Sequence, residues 1–383
     1  MKEIRIKFST ICKILIVFLA CVYVFLYSSV TNFSSIDTYL SILVMFVNTM
    51  IFLLSYKRTL KNKSGIITLL ILLASLTLGL LSDKNDIKTQ LLLVNLAITL
   101  LYCSEQYLNE RDIKYLSGLM LLLFILFNFT SKIGFNENTI GYIFFISLPF
   151  IHILLKKSNL KKGIYKVVLL AVTVYIAYGI YDSKCRSALY AFILYWIVYM
   201  LVTKFKDKKK FWSVFCSLLL IGCILFPLLY VGMWRNNIDI KLPFTNKQLY
   251  TGREEIWYNA LQLLKGNLLT GVGYNYVEIL NTHNSLMYIL LIYGIVNLTL
   301  ILLLFFKCIK KIVKKLENDD INRIGFSGFV ANILIAYFET NLIWNKEAIF
   351  IILLLVFCFY DKGLIQAKKE ERSGKINGSN TGI

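Results

Sequence analysis

The sequence has little of what most catalytic centres are built from. Its 383 residues include only two histidines and three prolines, and its eight cysteines are scattered with no CxxC spacing. Zinc and iron–sulfur sites need Cys and His clustered at short intervals, so neither is expected, nor any other cofactor. Nearly all the cysteines lie inside apolar runs or at their ends. Cys185 is in a connecting segment without an evident partner, and no disulfide is predicted. No Pro-rich linker, internal repeat or second domain is visible. Acidic residues are few, 22 against 42 Lys and Arg. The resulting net charge of +20 would suggest nucleic acid in a soluble chain. Here the placement of the charges excludes that reading.

Apolar residues are abundant, making up 57% of the chain, with a mean hydropathy of +0.66. Soluble domains rarely exceed about half apolar. Runs of the length that crosses about 30 Å of hydrocarbon as a helix recur along the chain. They are continuous rather than alternating, which predicts helices and not a barrel. The fold class expected is all-α, a polytopic integral membrane protein of about twelve spans. The spans are 11–30, 39–56, 65–81, 87–103, 113–130, 139–155, 164–180, 188–203, 211–232, 284–306, 326–344 and 348–360. The first follows a basic Met1–Lys7 but lacks a small-residue cleavage pattern, so it reads as an uncleaved span.

With the N-terminus placed inside, about 28 Lys and Arg fall in inner connections and about 11 in outer ones, as the positive-inside rule requires. Both termini are then cytoplasmic, and the Lys-rich inner segments read as retention signals and anionic-lipid contacts. The whole chain, 1–383, forms one transmembrane bundle. Residues 361–383 are a basic cytoplasmic tail with no predicted order, and the long polar stretch 233–281 faces the extracytoplasmic side.

That polar loop holds the densest set of candidate functional residues. Thr251-Gly-Arg-Glu254 has capping-box spacing, and the helix it opens should run through IWYNALQLLK and stop at Gly266. The helix is amphipathic, suited to lie on the membrane or the bundle. Arg253 falls in its first turn, where partial positive charge already accumulates. Two readings fit: an anion such as phosphate shared by the guanidinium and the free amides, or a pair with Glu254, Glu255 or a lipid headgroup. His283 precedes the apolar run from Leu286, with Asn281 or Thr282 as a plausible cap. A helix start favours a neutral imidazole able to accept a proton; an interfacial His bonded to a carbonyl is the alternative. The other histidine, His152, lies near the inner end of its span and reads as structural.

Trp234, Tyr250, Trp257, Tyr258, Tyr274 and Tyr276 suit stacking on sugar faces or an interfacial aromatic belt equally well. Two residues outside the loop join it on the same side. Arg186, in DSKCRSALY, opens the eighth span near Asp182. Glu339, in YFETNLIW, falls inside the eleventh span, where an ionisable group is a functional candidate with Arg186 or Arg253 as its natural partner.

The run TGREEIWYNALQLLKGNLLTGVGYNY followed by THNSLMYILLIYGI resembles the signature region of the O-antigen ligase and Wzy-type polysaccharide polymerase superfamily. In that superfamily an Arg-x-x-x-Trp helix precedes an Asn-Pro-x-x-Gly-x-Gly turn, and His-Asn-Ser opens a span carrying a Gly, the place Gly294 takes here. SKCRSALYAF resembles its Ser-Arg-small segment, and GFNENTIGYIF more loosely its Asn-containing segment at the start of a middle span. Leu268 stands where Pro is usual, and the outer loop is short for a ligase, which leans toward a polymerase.

The resemblance implies a metal-independent, inverting glycosyltransferase in the bacterial cytoplasmic membrane. Its substrate would be an undecaprenyl-diphosphate-linked oligosaccharide, joined to an acceptor sugar hydroxyl in making capsular, exo- or O-antigen polysaccharide. Arg186 and Arg253 would hold the diphosphate, His283 would serve the acceptor hydroxyl, and Trp257, Tyr274 and Asn284 would line the substrate site. Glu339 would act as a second base or orient an Arg. Membrane lipids, a flippase and a chain-length regulator are the partners implied, and no nucleic acid. A ligase of finished glycan and a flippase or other transporter are the alternatives. A transporter predicts midplane charges and paired half-repeats, which this sequence lacks.

Overall fold

A computed structural model describes residues 45–46, 49–53, 63–81, 87–103, 110–129, 137–238, 250, 252–274 and 282–342, and near the C-terminus 351, 354–355 and 357–360. The expected first span, most of the second, part of the last, the basic tail, Thr251 and Tyr276 lie outside the described residues. Within them the chain is helical: α1 Lys63–Leu81, α2 Ile87–Tyr102, α3 Glu110–Phe129, α4 Glu137–Lys157, α5 Lys162–Asp182, α6 Arg186–Lys204, α7 Lys209–Arg235, α8 Arg253–Leu264, α9 Ser285–Val313 and α10 Asp320–Ile335. Five of these, α4, α5, α6, α7 and α9, are long and apolar enough to cross a membrane.

Short polar connections between apolar runs of similar length make neighbouring helices antiparallel. The starts of α4, α6 and α9 therefore meet the ends of α5, α7 and α10 at one end of the bundle. At the opposite end Lys156 pairs with Asp320 at 2.6 Å, Lys209 with Glu317 at 3.0 Å and Lys157 with Glu110 at 3.6 Å. His152 is buried there between the hydroxyls of Tyr195 at 2.7 Å and Tyr165 at 3.0 Å, a structural role as expected.

Most of α10 is buried, packed along α6 and against α4 and α7. Its small residues permit this approach, as at helix crossings in lipid. A Cβ at Gly328 would lie 2.9 Å from the Pro149 ring of α4, and one at Gly325 3.1 Å from the Cys358 nitrogen. By contrast α5 is apolar on every side yet buries only Ile176, Gly179 and Ile180. Val167, Leu170, Val174 and Tyr178 are left on its open face, a pattern suited to lipid rather than water.

Three differences from the sequence expectation bear on the site. First, α7 runs on to Arg235, so the polar stretch begins at Asn236 rather than Met233. Second, α9 is capped by Asn284, whose Oδ1 accepts from the Met287 N–H at 2.8 Å, and not by Asn281 or Thr282.

The third difference matters most. The helix expected to reach 344 ends at Ile335, and Glu339 lies in the turn beyond it rather than inside a span. The cause is the start of α9, whose polar groups capture the carbonyls that would continue α10. Ser285 N–H donates to Ala336 O at 3.0 Å, Asn284 Nδ2 to Tyr337 O at 3.2 Å, and Ser285 Oγ to Glu339 O at 2.8 Å. Free donors at one helix start and free acceptors at another helix end thus satisfy each other.

Candidate functional site

Glu339, released from helical geometry by this junction, sits among groups from three other segments. Its Oε1 accepts from Asn138 Nδ2 of α4 at 3.0 Å and faces Arg253 Nη2 of α8 at 3.3 Å. Its Oε2 lies 3.6 Å from His283 Nδ1. The side chains of Arg253, Glu339 and His283 are 20%, 27% and 30% exposed, so each is sheltered yet reachable from outside. Charge-assisted contacts in such partly dry surroundings are stronger than on an open surface.

Each member is held by its own local device. Arg253 is the first residue of α8, whose N-cap is Gly252 in a left-handed conformation at φ +85°. The cap is thus Gly252 rather than the expected Thr251, and Glu254, two residues on instead of three, reaches back to accept from the Gly252 N–H at 3.0 Å. Arg253 instead pairs with Glu339, and its guanidinium lies 5.9 Å from the centre of the Phe338 ring. The helix ends where expected, with Gly266 at φ +85° beyond its cap.

His283 has φ +44°, in the region L-residues rarely occupy. Both of its neighbours are fastened. The Thr282 carbonyl accepts a hydrogen bond from the Trp257 indole, and Asn284 donates to Cys223 O at 3.0 Å as well as to Tyr337 O. Backbone strain of this kind costs about 1–3 kcal/mol and persists only where the surroundings impose it.

Arg186 is the first residue of α6, following Cys185. The Cys185 thiol lies 3.6 Å from the Asn138 carbonyl oxygen, and burial pushes its ionisation above the usual thiol range. Asn138 thus meets Cys185 through its carbonyl and Glu339 through its amide, which puts the turn carrying Arg186 beside the cluster. A Cβ on Gly141 would come within 2.3 Å of the Cys185 Cβ, so α4 and this turn are tightly apposed.

Two of the residues assigned to a substrate site do not have the surfaces that role needs. Trp257 is fully buried, edge-on to Phe226 and Tyr230, and offers no open ring face to a sugar. Asn284 is fully buried with its amide spent on the helix junction. Both position His283 instead. Hydrophobic burial explains the first, since a large indole on a short amphipathic helix gains most by entering the bundle. Tyr274 is half-buried against the main core.

The turn after α8 is built into a break in α9. Gly294 has φ +79° and ψ 176°, and the ladder it interrupts is replaced across the gap: Val272 N–H donates to Leu291 O at 2.7 Å and Ile295 N–H to Leu268 O at 2.8 Å. Leu268 contributes its carbonyl there, a group that the Pro usual in the resembled superfamily also possesses. A Cβ on Gly294 would lie 2.2 Å from the Leu269 carbonyl oxygen, and one on Gly271 2.3 Å from the Ile292 oxygen.

Sequence reasoning marked Arg186, Arg253, His283 and Glu339 but assigned no role to Asn138 or Phe338. The GFNEN segment was the available signal for the first. Nothing in the order of residues indicated which side chain of α4 would reach a turn about two hundred positions away.

The fold and site together define a helical membrane protein with an Arg–Glu–His cluster at one end of its bundle. Residues 171–302 match a family model described as O-antigen ligase. The matched segment includes Arg186, Arg253, His283 and Gly294, and Glu339 lies beyond it. No curated protein and no solved structure shows a match.

Proposed function

We propose that the protein is a polymerase of lipid-linked oligosaccharide repeat units, working at the outer face of the bacterial cytoplasmic membrane. It would transfer the growing glycan from undecaprenyl diphosphate to a sugar hydroxyl of the next unit. The observation that carries this reading is Glu339 held between Arg253 and His283, two residues inside the segment that matches the O-antigen ligase family model.

In this reading Arg253, at the start of α8 where the helix dipole favours an anion, takes one part of the donor diphosphate. Arg186, opening α6 next to the cluster, takes another. Two guanidiniums stabilise the charge that builds on the diphosphate as the anomeric C–O bond breaks. A carboxylate beside Nδ1 of His283 selects the tautomer protonated there and leaves Nε2 as proton acceptor. The acceptor hydroxyl attacks the anomeric carbon from the face opposite the diphosphate, inverting it. Its proton passes to Nε2, and undecaprenyl diphosphate departs. Of the two aromatics expected to line the substrate site, Tyr274 rather than Trp257 keeps surface for a sugar.

The test uses a strain lacking this gene, complemented with variants, and polysaccharide resolved by size. Arg253→Ala, Arg186→Ala and His283→Ala should each preserve protein level and abolish long chains, with single lipid-linked units accumulating. Loss of an oriented charge or a general base lowers turnover by about 10²–10⁴-fold. Arg253→Lys should fail nearly as badly, because an ammonium lacks the planar fork that grips a diphosphate. Normal ladders in the Arg253 and His283 variants would refute the assignment. The family description favours a second reading, a ligase of finished glycan. The deletion strain separates the two: single attached units indicate a polymerase, and loss of all attachment a ligase.

A further inference from the structure

Oε1 of Glu339 has two partners and Oε2 faces a third, an uneven sharing that the neutral member of the cluster enforces. A carboxylate next to a lone guanidinium tends to turn and engage it through both oxygens. Such a turn would occupy two guanidinium N–H groups needed by an anionic substrate and would take Oε2 away from His283. Asn138 opposes it. Its Nδ2 at 3.0 Å fills a lone pair of Oε1 and sets the plane of the carboxylate.

The backbone under Asn138 is itself fixed. Its carbonyl meets the Cys185 thiol, and one turn further on Gly141 is pressed against Cys185 and Ser183. A turn beyond Asn138, Tyr142 donates to Asn332 Oδ1 of α10 at 3.2 Å, and Asn332 O accepts from Asn341, which also takes the Ser285 hydroxyl. The start of α4 is therefore tied both to the turn bearing Arg186 and to the junction that presents Glu339.

We infer that Asn138 is a positioning residue for the transfer reaction, acting through Glu339 to keep one carboxylate oxygen for His283 and part of the Arg253 guanidinium open to the diphosphate. This rests on the polymerase reading above. Asn138 makes no claim on substrate itself.

The experiment is a double-mutant cycle on full-length protein in proteoliposomes, supplied with lipid-linked repeat units extracted from the deletion strain. Asn138→Leu removes the amide while keeping a side chain branched at the same carbon. It should lower kcat by about tenfold to a hundredfold, the range typical of lost outer-shell orientation, with KM changed less than about threefold. Combined with Glu339→Ala, the same substitution should cost nothing further, since the group through which it acts is gone. Asn138→Gln, which keeps the amide, should restore part of the rate and serves in the same cycle if Asn138→Leu fails to accumulate. Equal losses in both backgrounds, or a raised KM with unchanged kcat, would mean a packing role and overturn the inference. Wild-type protein that extends no chains under these conditions sinks the polymerase reading first, and this inference with it.

Discussion

His283 is the residue whose placement depends most on others. Its left-handed backbone is clamped by Trp257 before it and Asn284 after it, and the two together set where the imidazole points. Trp257→Phe keeps the aromatic packing against Phe226 and Tyr230 but leaves the buried Thr282 carbonyl without its indole donor. That omission should cost about 1–3 kcal/mol of stability. On the proposed polymerase reading, chain growth should fall by more than the loss of folded protein explains, because His283 is freed to relax. Thermal unfolding of purified protein, read beside polymer length at matched membrane abundance, checks both parts. Activity in proportion to folded protein would limit Trp257 to packing.

Two helix ends, those of α9 and α10, form the element on which the site is built. Donors at one meet acceptors at the other, and the chain leaves helical geometry at Ala336 so that Glu339 can reach three partners. The break inside α9 is the second such element. It lies nine residues from the start of the helix, about 14 Å along its axis. Irregular backbone at that depth is tolerated only where protein buries it, as Gly271, Val272 and Gly273 are buried here. Gly294→Ala should therefore be among the most damaging small substitutions in the chain. It forces a Cβ against the Leu269 carbonyl and demands an unfavourable φ, and well over about 1 kcal/mol is expected from the backbone alone. Steady-state membrane level and melting temperature should both drop, whereas Gly163→Ala, at a position with open space around it, should change neither.

On the scale of the whole molecule the two ends of the bundle differ in kind. One gathers Arg253, Glu339, His283 and Asn138; the other is a lattice of Lys–carboxylate pairs that fastens α4, α3, α7 and the start of α10. Within it Asp320 is partly buried, which by itself would raise its ionisation. Hydrogen bonds from Lys156 and Arg323 outweigh this and hold the carboxyl below the usual carboxylate value. A depressed carboxylate contributes stability that is complete above its unfolded value and is lost as pH falls below it. Asp320→Asn should thus lower the melting temperature of detergent-purified protein at neutral pH. The gap to wild type should close as the pH drops through and below the ordinary carboxylate range, about 4. A gap independent of pH would assign the residue a packing role.

The order of residues by itself settled the class of molecule and most of its helix limits, since span length and hydrophobic continuity are local properties that lipid reads one segment at a time. It also marked the amphipathic helix α8, its stop at Gly266, and the four ionisable residues Arg186, Arg253, His283 and Glu339. Those stand out because charge is scarce in such a chain. Tertiary structure alone decided that Glu339 leaves its helix, that Trp257 and Asn284 are buried supports, and that Asn138 belongs to the cluster. Each of these depends on which backbone carbonyl or side chain lies across a helix boundary. Such contacts join positions about twenty-five to two hundred residues apart, a distance over which no hydrophobic period or capping pattern carries information.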